Sequence, residues 1–191
     1  MKSAIRLQTV NFSGTTKFDA DGTAYLDAQP PSQQYVGEPS KQIDHNWNQL
    51  TKNRYFRLTG EEAKAAWGDE YPEFWDAEEN GGGFTVGLDV FHTLHCLDHI
   101  RQRFYPDYYP QNASSIHGIK HHEHCINHLR QMVMCYSDST PIPTRYFPGI
   151  GHNYVDSNRA HTCRDFGAIR KWTSERFHSD GLHDFDDHNG A

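Results

Sequence analysis

The chain has 191 residues, 36% of them hydrophobic and 13% aromatic, with 18 basic side chains against 25 acidic ones for a net charge of −7. That length suits one domain with a core of its own, and an acidic balance without a Lys/Arg run argues against nucleic acid as a partner. The outlier is histidine: 14 residues, eight of them between His92 and His128.

Residues 1–34, rich in Gly, Thr, Asp and Pro, read as an irregular or short-stranded N-terminal arm that stops at Pro30-Pro31. A domain over 35–175 follows. The spacing of Trp47 and Leu50 behind Asp44 predicts a short helix over 43–50, and Thr59 followed by Glu61-Glu62 predicts a capped helix ending at Trp67. After an acidic, glycine-rich loop over 78–83 come the two longest helical patterns, 88–104 and 119–136, joined by a Tyr/Pro-rich connection. A short helix is predicted over 166–172, and 176–191 read as a polar tail.

The two long patterns carry the same motif. His92-Thr93-Leu94-His95-Cys96 and His121-His122-Glu123-His124-Cys125 both read HxxHC, and both continue with a histidine (His99, His128) followed by an apolar residue, Arg and Gln. At about 100° per residue, His92, His95 and His99 fall within about 60° of one another, and His121, His124 and His128 repeat that arrangement. Val90, Leu94, Leu97 and Phe104 lie opposite the first row, and Ile126 and Val133 opposite the second, so both helices are expected to be buried on both sides. Imidazoles at i, i+3 converge on one ion, which makes His92, His95, His121 and His124 the candidate ligands, with His99, His128 and His161 as further ones. The predicted fold is therefore mainly α with irregular, loop-rich segments, the two His-bearing helices packed face to face and stapled by disulfides.

Cys96, Cys125, Cys135 and Cys163 form no CxxC knuckle of a structural zinc site. Their even number, with sequons at Asn11 and Asn112, points to an oxidising compartment in which they pair, in any of three combinations. No acidic residue is read within either histidine row, and Glu123 lies off the ligand face. All-imidazole ligation in an oxidising compartment favours copper, as one or two ions, with dioxygen as oxidant. The rivals are a zinc hydrolase on the same histidines and a non-enzymatic His/Cys structural metal domain. Residues 1–10 lack the apolar run of a signal peptide or membrane span.

These motifs, with Tyr35-Val36-Gly37-Glu38-Pro39-Ser40, Leu88-Asp89-Val90-Phe91, Met134-Cys135-Tyr136-Ser137-Asp138 and His161-Thr162-Cys163-Arg164-Asp165, resemble the UstYa-like family of fungal oxidases over roughly Tyr35 to Trp172. The resemblance implies a copper-dependent oxidase of secondary-metabolite biosynthesis that hydroxylates, cyclises, desaturates or chlorinates a small-molecule or peptide substrate. It further implies that His92, His95, His121 and His124 hold the metal. The implied setting is the secretory-pathway lumen or a vesicle, with a membrane anchor in a longer form and a homodimer or hetero-oligomer as the assembly.

Overall fold

The computed structural model describes residues 4–76, 82–110 and 118–182, and the backbone alone over 118–120. The elements in order are β1 (Leu7–Asn11), β2 (Lys17–Phe18), β3 (Ala24–Tyr25), α1 (Lys41–Thr51), β4 (Tyr55–Leu58), α2 (Gly60–Trp67), β5 (Phe84–Gly87), α3 (Asp89–Arg103), α4 (Gly118–Tyr136), β6 (Thr144–Phe147), β7 (His152–Val155), β8 (Ala160–Arg164) and α5 (Phe166–Ser179). The strands form four antiparallel two-stranded ribbons, β1–β8, β2–β3, β4–β5 and β6–β7.

Local chemistry starts the helices. Ser40 caps α1 by accepting from the Ile43 amide, and Asp165 caps α5 by accepting from Ala168. Thr59 and Glu62 close a reciprocal capping box on α2, which satisfies two amides that the first helical turn leaves without partners. The last helix runs on to Ser179, beyond its predicted end at 172, because Phe177 is buried and Arg176 reaches back to the Glu62 carboxylate and the Arg57 carbonyl.

Aromatic packing holds the layers together. Phe56 of β4 meets Trp172 of α5 edge to face at 5.0 Å, and Phe84 of β5 lies among Trp67, Tyr71 and Trp75. Burying one such side chain contributes about 1.5–3 kcal/mol. Phe91 of α3 is fully buried against Phe166. On the same helix Arg101, also buried, bonds to Asp98, Asp44 and the Tyr109 hydroxyl and stands over the Trp47 ring, fixing α3 to α1. The β1–β8 ribbon, in register Leu7↔Arg164 to Asn11↔Ala160, ties the predicted arm to the last strand.

One expectation is corrected. The apolar residues behind the histidine rows are not all covered: Leu97, Phe104, Ile126 and Val133 are 43–76% exposed. For Ile126 and Val133 the reason is that α4 packs principally along α3, which lies on its histidine side. All four cysteines stand as free thiols in this structure. In place of a staple stands a thiol pair, Cys96 against Cys125, each fully buried and joined by a hydrogen bond. Cys135 is exposed and Cys163 partly so.

Candidate metal centre

The β4–β5 ribbon runs directly into α3, so the first HxxHC motif starts one turn inside a helix anchored by Phe91 and Arg101. The second motif lies in the N-terminal half of α4. Ring contacts show how the two meet. His92 approaches His128 and His124, at centroid distances of 4.5 and 5.4 Å. Towards the other end of α3, His99 and His95 approach His121 at 4.9 and 6.0 Å. The helices therefore run antiparallel.

The six motif histidines form two trios, and the trios do not follow the motifs. One comprises His92, His124 and His128; the other comprises His121, His95 and His99, with His95 and His99 4.3 Å apart. Each takes the first histidine of one motif and the second and third of the other. Exchanging the helices maps one trio onto the other, with Cys96 and Cys125 meeting between them. The four ligands read from the sequence are thus divided, His92 with His124 and His95 with His121. The trios are bridged only loosely, by His92 and His95 at 6.5 Å.

The trios differ in their surroundings. Asp89 stands beside the first, with Oδ1 3.4 Å from His128 Nε2 and 3.8 Å from His92 Nδ1. Ligand atoms of Asp89, His92 and His128 lie within 4.8 Å of one another, as do those of His92, Cys96 and His124. Asp89 thus stands just outside the row His92–His99, yet its carboxylate reaches two rings of the first trio. The signal was present, since Asp89 precedes His92 by three residues and shares its helix face; the matching position before His121 is Gly118. Thr93 is the second residue the motif reading passed over, its hydroxyl 3.0 Å from His128 Nε2. In the other trio His122 takes the place of Thr93 and lies 6.0 Å from His121.

Burial tunes these rings for ligation. Desolvation, reinforced by the charges of His99, Arg54, His121 and His92, pushes His95 down to about 3. His92 is lowered as well, by burial first and then by His128 and His124. An imidazole held neutral keeps a lone pair for a metal. Burial and the Cys125 hydrogen bond push the Cys96 thiol up to about 12, and its Sγ stands 3.7 Å from His92 Nε2. The first trio is open to solvent, with His124 exposed and the side chains of His92 and Asp89 42% and 57% exposed. The donor set fits a metal that prefers imidazole with at most one carboxylate.

His161 lies in neither trio. It is buried on β8, stacked on Phe12 at 3.7 Å, and its Nδ1–H donates to Asp138 at 2.6 Å. Asn11 is exposed on β1, and Asn112 falls outside the described residues. No helix among the described residues is long and apolar enough to cross a membrane.

A family model described as "Mycotoxin biosynthesis protein UstYa" matches residues 1–176. UstYa family oxidase phomYd of Diaporthe leptostromiformis is 43% identical over 184 residues, covering 92% of this chain and 60% of the relative. A second protein of that fungus, UstYa family oxidase phomYd′, is 27% identical over 92% of this chain and 49% of its own. UstYa family oxidase VicYc of Bipolaris victoriae is 41% identical over 86 residues, 44% of this chain and 84% of the relative. The chain thus spans 60% or less of the length of the first two relatives. No solved structure matches it.

Proposed function

The chain belongs to the UstYa family, and from that premise we propose that it is an oxidase of fungal secondary-metabolite biosynthesis whose two histidine trios bind copper. The observation that carries this reading is the sorting of six helix-borne imidazoles into two clusters, each built by both helices. His92, His124 and His128 hold one ion, with Asp89 at its edge; His95, His99 and His121 hold a second. Copper bound there supplies one-electron redox chemistry towards dioxygen.

The chain's own residues do the remaining work. Burial keeps His95 and His92 neutral and ready to ligate. Thr93 and Asp89 orient the His128 ring through its Nε2, the kind of support that fixes ligand direction in metal sites. The open side of the first trio, at His92, His124 and Asp89, admits a small-molecule or peptide substrate, whose C–H or phenolic O–H bond is functionalised. In an oxidising lumen Cys96 and Cys125 are the pair placed to form a disulfide, which removes Cys96 from the ligand set.

One observation favours a second reading of the metal. Asp89, His92 and His128 are two histidines and one carboxylate, a set that suits non-haem iron(II). Metal analysis of the purified chain, with oxygen uptake on a phenolic peptide, separates the two. Copper near two ions per chain, with oxygen consumed, is the expected result. Iron near one ion per chain, lost on Asp89→Ala, replaces copper. Full zinc occupancy without oxygen uptake overturns the oxidase and leaves the hydrolase or the structural metal domain.

A further inference from the structure

Two oxygens from one turn of α3 flank the same ring nitrogen of His128. The Thr93 hydroxyl lies 3.0 Å from Nε2 and Asp89 Oδ1 lies 3.4 Å from it. A hydroxyl suits either state of that nitrogen, since it donates as readily as it accepts. A carboxylate oxygen only accepts, so it is attracted to a ring nitrogen that carries hydrogen and repelled by one that presents a lone pair. Asp89 therefore decides between the tautomers: hydrogen on His128 Nε2, and the lone pair of the uncharged ring on Nδ1.

The same carboxylate addresses His92 from its Nδ1 side, at 3.8 Å, while Nε2 is the nitrogen beside Cys96 Sγ. On that Cys96 side the ligand atoms of His92, Cys96 and His124 gather within 4.8 Å of one another. An ion held through His92 Nδ1 and His128 Nε2 would displace the Thr93 contact and leave the His124 side of the ring. An ion held through the opposite nitrogens keeps both. Nothing comparable is encoded at the second trio, where Gly118 and His122 occupy the positions of Asp89 and Thr93 and bring no side-chain oxygen.

We propose that Asp89 and Thr93 are positioning residues outside the ligand set: they keep hydrogen on His128 Nε2, and Asp89 keeps it on His92 Nδ1, so that a metal binds His128 through Nδ1 and His92 through Nε2. Carboxylate–histidine–metal chains of this kind fix both the direction and the tautomer of a ligand. The assignment rests on the reading that the first trio holds a metal. It goes beyond that reading in naming the ligating nitrogens and in placing Asp89 behind the rings rather than on the ion.

Zinc(II), diamagnetic and redox-silent, is the probe. Long-range proton–nitrogen correlation spectra of the full chain, with isotopically labelled histidine, report for each ring which nitrogen carries hydrogen and which one zinc shifts. The expected result is hydrogen on His128 Nε2 and His92 Nδ1, with zinc shifting His128 Nδ1 and His92 Nε2. In a chain whose second trio is silenced by H95A/H99A, Asp89→Ala weakens zinc binding by about tenfold. Asp89→Asn, which keeps an acceptor oxygen, weakens it less, and D89A/T93V leaves the two His128 tautomers mixed. Zinc on His128 Nε2, or Asp89→Asn as damaging as Asp89→Ala, makes Asp89 a ligand and overturns the proposal. Zinc that shifts no ring nitrogen of either trio defeats the metal centre itself and this assignment with it, a failure seen before Asp89 is substituted.

Discussion

Cys96 and Cys125 occupy equivalent positions in the two HxxHC motifs and meet, fully buried, between the two histidine trios. An antiparallel pair of helices carrying the same motif generates an approximate two-fold relation, and residues next to such an axis contact their own counterparts. Every other motif position is brought to a different position of the other copy, and for that reason the ligand sets cross.

A disulfide between these thiols would close a loop of about 30 residues and stabilise the fold by about 3–4 kcal/mol through the unfolded chain. Mild oxidation followed by thiol counting and peptide mapping is expected to remove two thiols, Cys96 and Cys125, and to raise the urea midpoint. The gain disappears in C96S/C125S. Loss of Cys135 and Cys163 instead would show that the buried pair is not the one that bridges.

The crossed trios make a prediction that motif reading does not. His92→Ala with His128→Ala strikes one trio from both motifs, and the expected result is retention of one copper ion per chain. His92→Ala with His99→Ala takes both substitutions from the first motif but strikes both trios, so loading at both sites falls. Copper content after dialysis against a weak chelator reads the difference. Equal losses in the two variants would mean the histidines act as a single set.

Glu62 ties α2 to α5, accepting from Arg176 at 2.7 Å and from the Thr59 amide at 2.9 Å. The Arg176 hydrogen bond, with the Thr59 amide second, lowers its carboxyl from 4.5 to about 2. A carboxyl depressed in the folded state contributes stability that is complete above its unfolded value and is lost as the pH falls between those limits. Urea midpoints are expected to drop over this acid window, and Glu62→Gln to flatten that part of the profile. Thr59→Ala, which opens the other half of the capping box, costs about 1 kcal/mol at neutral pH.

Asp138 and His161 join the residues just past α4 to β8, across a ring that Phe12 covers on one face. Hydrogen bonds from Thr140 and then His161 hold the Asp138 carboxyl at about 2, so it is ionised and accepts the imidazole N–H. Asp138→Ala leaves that buried N–H without its acceptor, and unmade buried bonds are costly. A lower urea midpoint with unchanged copper content is the expected outcome. Loss of copper would place His161 among the ligands after all.

Much of this was legible in the chain because it depends on neighbours in sequence. Capping residues start α1, α2 and α5, and a 3.6-residue period puts His92, His95 and His99 on one face of α3 and His121, His124 and His128 on one face of α4. The duplicated motif announces the family. The Asp89 carboxylate was equally local, three residues before His92, and was hidden only by reading the motif as beginning at its first histidine. What periodicity does not contain is the direction and stagger of one helix against another. Those follow from how Phe91 and Arg101 seat α3 on α5 and α1 and from how the buried thiols meet, and they decide that His92 joins His124 and His128 while His95 and His99 join His121. The same packing decides which apolar side chains are covered: Ile126 and Val133 alternate like core residues, but a helix with one main neighbour buries one face and leaves the other to solvent.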